Sequence, residues 1–141
     1  RGAFGDLLAD QARRSRPGAT PEALERERQK AFRAPLIIVV AAIPNPETKI
    51  RPVEQVLAAG AAAQNIMLAT FAQGFNAMWK TGDAAYDETV KRAFGLEQKD
   101  SIVGFLYLGT EAGERPAITR PSWRERTQVW NPHNSPSINP T

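Results

Sequence analysis

The chain contains no cysteine and a single histidine, His133. Without cysteine there is no disulfide framework, no thiolate metal site and no cysteine nucleophile. One histidine in a proline-rich tail leaves no His-based triad and no histidine metal cluster. Motifs of the GxSxG, Walker and HExxH types are missing as well. There is no basic head followed by an apolar stretch at the start, hence no visible signal peptide, and a cytoplasmic location is expected. A protein of this composition that performs chemistry is expected to borrow its reactive group from a cofactor, with no catalytic side chain and no metal of its own. Strong charge of one sign is lacking too: the net charge is +3. Arg13, Arg14 and Arg16 form the one dense basic cluster, followed by acidic residues. A nucleic-acid or acidic-partner surface built on Arg13 to Arg33 is the weaker alternative to a solvated charged face.

A further absence organises the rest. From Gln55 to Trp79 there is no charged side chain, in a chain that is 23% charged. The run 52–82, PVEQVLAAGAAAQNIMLATFAQGFNAMWKTG, opens on Pro52, suited to a first helical position. It continues through good helix formers and meets Gly74, a natural left-handed stop. Its helix would be roughly 33 Å long. Val53, Val56, Leu57, Ile66, Met67, Leu68 and Phe71 go most of the way round, with Ala58 to Ala63 and Gly60 between them. A helix apolar all round is expected to be buried on most sides, with its small residues allowing close approach of another backbone. A membrane span of about 20 residues is the rival. Gln64 and Asn65 in mid-run, and the weight on alanine rather than leucine, favour a central core helix.

At 141 residues the length fits one domain that buries about two-thirds of its unfolded surface. In residues 2–14, Phe4, Leu7 and Leu8 lie on one helical side. Arg16-Pro17-Gly18 breaks that helix. Thr20 is the expected N-cap of the next, with Pro21 at its first position. PLIIVVAAI, 35–43, reads as a strand buried on both faces, and 75–79 as a short strand before a Lys80-Thr81-Gly82 turn. Asp83, Asp87 and Glu88 form an acidic group best explained as a helix start: Asp87 caps a short helix that Gly95 stops. SIVGFLYL, 101–108, is a second strong strand, where Gly104 signals a bulge or a close backbone approach. Beyond Thr110 a proline-rich composition predicts an extended arm that Val129 and Trp130 anchor, with the last ten residues or so disordered. Helices and strands mix without βαβ alternation, so the expected class is α+β.

Taken together, FRAPLIIVVAA, the Ala-rich helix ending AQGF, WKTG, a short helix ending AFGL, and KDSIVGFLYLGT resemble the nitroreductase family. The likeness is to the small NAD(P)H nitroreductases that bind FMN, and it is continuous from about Phe32 to Thr110. It implies a sandwich with a central mixed or antiparallel sheet flanked by helices, over residues 1–110, with 111–141 as an arm. It also implies a homodimer packed through the long helix, with FMN at the interface. Trp79, Lys80 and Thr81 would contact FMN, and Ala69, Thr70, Phe71, Ala72, Gln73 and Gly74 the NAD(P)H. Hydride would pass from NAD(P)H through flavin N5 to a small-molecule acceptor, a nitroaromatic or quinone, with no nucleic acid or membrane involved. The chain departs from the family at its start. Members begin with an Arg-Arg-Ser helix that grips the FMN phosphate, and residues 1 to 33 hold no counterpart, Arg13-Arg14-Ser15 ending a helix that aligns later. About 50 residues are expected to precede Arg1, and Arg120 is the expected stand-in for a C-terminal phosphate contact. If Ala62 and Ala63 pack across a dimer seam, leucine at either should yield monomers.

Overall fold

A computed structural model describes residues 1–113 and 118–130. The expectation of disorder at the C-terminus and the single histidine, His133, lie outside the described residues. The chain forms α1 (Gly2–Ser15), α2 (Pro21–Gln29), β1 (Leu36–Ala42), α3 (Pro52–Ala72), β2 (Asn76–Lys80), α4 (Glu88–Ala93) and β3 (Ser101–Gly109). These make an α+β fold around one antiparallel sheet of order β1-β3-β2.

Local chemistry sets the element ends. The Thr20 hydroxyl accepts from the Ala23 N–H at 3.2 Å to start α2, and Pro21 needs no partner at that position. Gly74 (φ +81°) closes α3 with a double return. Its N–H donates to the Phe71 carbonyl and the Phe75 N–H to the Thr70 carbonyl, the pairing that a left-handed glycine permits.

The sheet carries a layer on each face. Pairings Ile37↔Tyr107, Val39↔Phe105 and Ala41↔Ile102 put those side chains on the face that meets α1 and α4, where Leu8, Val90 and Leu96 complete the core. Phe4 packs on Phe105 with ring centroids 5.0 Å apart. The register slips by one residue between Val40 and Ala41. Val103 is the unmatched residue of this bulge, which keeps Ile102 on the core face as bulges re-aim side chains. The other face, including Gly104 and Leu106, lies beneath α3.

Two sequence expectations need correction. The 35–43 run is not buried on both faces: β1 is an edge strand, most of its residues are half-buried, and Leu36 is exposed. Nor is α3 buried on most sides within the chain. Only Ala63 and Thr70 are buried, because a three-stranded sheet covers one side of a helix and, among the described residues, nothing covers the other. Leu57 stands 67% exposed and Phe71 66%. By length and composition alone α3 could also cross a membrane, a test that a core helix passes equally. Val129 and Trp130, expected to anchor the arm, are 96% and 79% exposed among the described residues.

Candidate functional site

The turn that follows β2 is held from both sides of the sheet. Trp79 pairs with Leu106 and Lys80 with Phe105, the last rung of the β2–β3 ladder. The Trp79 indole N–H donates to the Val103 carbonyl at 3.0 Å, beyond the reach of that ladder. The ring lies over Gly104, where an added Cβ would come within 2.1 Å of the indole nitrogen. Its far edge faces Gly60 of α3, 4.0 Å from where a Cβ would stand. The close approach expected at Gly104 is thus the approach of Trp79.

Beyond this anchor the chain opens to solvent. Lys80, Thr81 and Gly82 are exposed, and among the described residues neither the Lys80 ammonium nor the Thr81 hydroxyl has a hydrogen-bond or ion-pair partner. Lys80 belongs to β2 rather than to the turn. Gly82 takes φ +68°, ψ −175°, a conformation essentially restricted to glycine. The chain then dives to the opposite face, where Ala84 and Ala85 are buried in the core.

Asp87 finishes the segment. Its Oδ1 accepts from the backbone N–H of Thr89 and Val90, both at 2.9 Å, and from Arg14 Nη2 at 2.8 Å. Burial, the largest single influence, works to raise its pKa. The Val90 and Thr89 N–H groups and the Arg14 guanidinium outweigh it and hold the carboxyl below the usual value. The acidic group at 83–88 is therefore a helix start.

The second expected segment, Ala69 to Gly74, lies at the other end of β2, whose five residues hold the two roughly 17 Å apart. Much of its polar capacity is used internally. The Thr70 hydroxyl is turned inward onto the Ile66 carbonyl at 2.7 Å, and Gln73 Nε2 folds back onto the Ala69 carbonyl at 3.2 Å. The Phe71 ring is the large exposed surface there. Arg120 is exposed in the arm and forms no hydrogen bond or ion pair with the Trp79–Thr81 segment. Within one chain the Trp79–Thr81 and Ala69–Gly74 segments are thus held apart by β2.

The basic cluster is neutralised where it stands. Arg13 pairs with Asp10, Arg14 with Asp87 and Arg16 with Glu27, while Arg28 meets Asp6. Glu27 is pushed up by burial, but hydrogen bonds and charge from Lys30 and Arg16 leave its pKa lowered on balance. These pairs leave a mixed surface, not a basic stripe. A shallow surface depression runs along α2 between Pro21, Glu25, Arg26 and Arg33. It is open to solvent, and the Trp79–Gly82 turn takes no part in it. Sequence reasoning missed Val103 and Arg14 as supports of the turn. Their contacts span 24 and 73 residues, and no local pattern signals such pairs.

Known proteins resemble the chain across this whole region. The profile of the nitroreductase family matches residues 3–110. The chain is 42% identical over 93 residues to "Putative NAD(P)H nitroreductase YdjA" of Escherichia coli (strain K12), covering 66% of this chain and 51% of that protein. It is 36% identical over 97 residues to "Putative NAD(P)H nitroreductase" of Haemophilus influenzae, covering 67% and 53%. A nitroreductase-like family protein from Bacillus cereus, known by crystal structure, superposes with a TM-score of 0.69 at 25% identity, over 91% of this chain and 68% of that one. The chain spans about half the length of the curated relatives it matches.

Proposed function

Because the chain belongs to the nitroreductase family, we propose that it is an FMN-dependent oxidoreductase that takes electrons from NAD(P)H and delivers them to a nitroaromatic- or quinone-like acceptor. The observation that carries this proposal is the Lys80–Gly82 segment, the end of β2 and the turn after it. It joins a cation and a hydroxyl that have no partner among the described residues to an open glycine backbone, held on a rigid frame. Those are the groups that a phosphate or a ribityl chain needs, so the residues present fit one side of a flavin mononucleotide. When bound, FMN would supply the hydride-accepting ring. The chain's own residues would bind and orient it: Lys80 by charge, Thr81 by hydrogen bonding and Gly82 by close backbone approach.

The same proposal includes a homodimer through the uncovered face of α3. Val53, Leu57, Leu68 and Phe71 leave an apolar surface along the helix, and burying such surface is worth about 25 cal/mol per Å². A dimer with flavin at the seam would also account for the roughly 17 Å between the turn and Ala69–Gly74, since each site would then draw on both chains. A second reading is a nitroreductase-fold protein that dimerises but binds flavin weakly. It is favoured by the commitment of the adjacent Arg13 and Arg14 to Asp10 and Asp87, so that neither guanidinium is free to grip a phosphate.

Titrating FMN into the purified chain while following quenching of flavin fluorescence separates the two. Near-stoichiometric binding, followed by FMN-dependent NAD(P)H oxidation with a quinone acceptor, supports the enzyme. Dimers that bind no FMN support the second reading.

A further inference from the structure

The geometry points to the Trp79 indole as a positioning group that sets the backbone of Lys80–Gly82, rather than as a ring that contacts the ligand. The inference rests on the reading of that turn as a cofactor-binding segment, and it changes how Trp79 serves it.

The indole is already engaged. Its one donor is spent on the Val103 carbonyl at 3.0 Å, and indole has no acceptor to offer. The ring fills the space over Gly104, where a Cβ would lie 2.1 Å from Nε1 and 2.6 Å from Cδ1. Its far edge meets α3 at Gly60. The ring therefore keys β2 to both β3 and α3.

Its place in the chain gives this key a consequence for the turn. Lys80↔Phe105 is the last pair of the β2–β3 ladder, so Thr81 and Gly82 leave the sheet without ladder bonds. The next fixed points are Ala84 and Ala85, buried on the opposite face. Lys80, Thr81 and Gly82 hang between two anchors, and the upstream one is the Trp79 ring. The turn should then respond to side-chain volume at position 104, a residue buried beneath the ring and out of reach of any ligand on the turn.

The test compares Gly104→Ala, Trp79→Phe, their double variant and Gly60→Ala as a control, all in the full chain. The control methyl would sit at ordinary van der Waals distance from the ring. The first measurement needs no ligand: backbone amide order parameters at positions 80–83 from NMR relaxation. Gly104→Ala should lower the order there toward flexible-loop values, below about 0.6, while α1 and α2 keep theirs. Adding Trp79→Phe, a smaller ring, should restore much of it, and Gly60→Ala should leave it near wild type. The second measurement is FMN titration with the visible spectrum of the bound flavin. Gly104→Ala should weaken binding more than Trp79→Phe, and Trp79→Phe should leave the flavin band where wild type has it.

Unchanged order parameters at 80–83 in Gly104→Ala overturn the anchoring role. Should that variant not fold, unchanged order at 80–83 in Trp79→Phe does so instead. A flavin band moved by Trp79→Phe makes the ring a direct contact and also overturns it. If the wild-type chain binds no FMN, the cofactor reading fails, while the relaxation measurements still decide whether Trp79 holds the turn.

Discussion

Arg14, near the end of α1, donates to Oδ1 of Asp87 at 2.8 Å, the same oxygen that caps α4 through Thr89 and Val90. One carboxylate thus starts one helix and ties it to another. Asp87→Ala should cost about 1–2 kcal/mol, the usual loss on removing an N-cap. Arg14→Ala should cost less than about 1 kcal/mol, because its side chain is 42% exposed and exposed pairs contribute little. The pH dependence has a defined sign. The folded-state pKa of Asp87 is lowered, so its stabilisation is complete above the ordinary aspartate value of about 3.9. It is lost as pH falls through the lower folded value. Urea unfolding at pH 7 and pH 3 should show wild type losing more stability than Asp87→Asn, which keeps a capping oxygen but does not titrate.

Gly82→Ala should be costly although space is free. Nothing lies within 4 Å of the added methyl, so the penalty comes from φ +68°, ψ −175°. Holding such a conformation costs a non-glycine residue about 1–3 kcal/mol. The chain is expected to relieve this by moving the turn, so FMN affinity should fall more than thermal stability. Parallel melting and flavin titration check this, and equal FMN affinity in the variant would count against the turn as the binding segment.

The cap residues were legible in the sequence because capping is local. Thr20 with Pro21, Asp87, Gly74 and Gly95 each announce a helix end within four residues. The family was legible from motifs whose order survives across the chain. What sequence could not supply was cover. A β-branched run looks alike in a central strand and in the edge strand β1, and an apolar helix does not say which of its sides its own chain will reach. Ala62 and Ala63 show the limit at its finest. They are neighbours in sequence and both small, yet a single helical step of about 100° leaves Ala62 exposed and Ala63 fully buried. Gly104 could be flagged as a close approach, but its partner lies 25 residues back.

That step separates two effects that the sequence placed on one seam. Ala63→Leu should destabilise the monomer fold by about 1–3 kcal/mol through overpacking, whatever its oligomeric state. Ala62→Leu and Leu57→Asp change only the outer face, so they should leave the unfolding midpoint of a monomer near wild type and shift a dimer toward monomers. Light scattering beside urea unfolding distinguishes them. A wild type that is monomeric at all concentrations would remove the proposed dimer.

Lys80 offers the sharpest test of what the turn holds. An ammonium without a protein partner that receives a phosphate forms a charge-assisted hydrogen bond, typically worth about 1.5–3 kcal/mol. Lys80→Ala should therefore weaken FMN roughly 10- to 100-fold, whereas Thr81→Val, which loses a neutral donor, should weaken it less. The contact is exposed, and exposed charges are screened within about 3 Å at 1 M salt. Wild-type affinity should consequently fall as salt rises, and Lys80→Ala should flatten that dependence. Riboflavin, which has the ring and ribityl chain but no phosphate, should bind wild type and Lys80→Ala alike. If Lys80→Ala weakens riboflavin as strongly as FMN, the lysine meets the ring or the ribityl chain, and the phosphate must be held elsewhere.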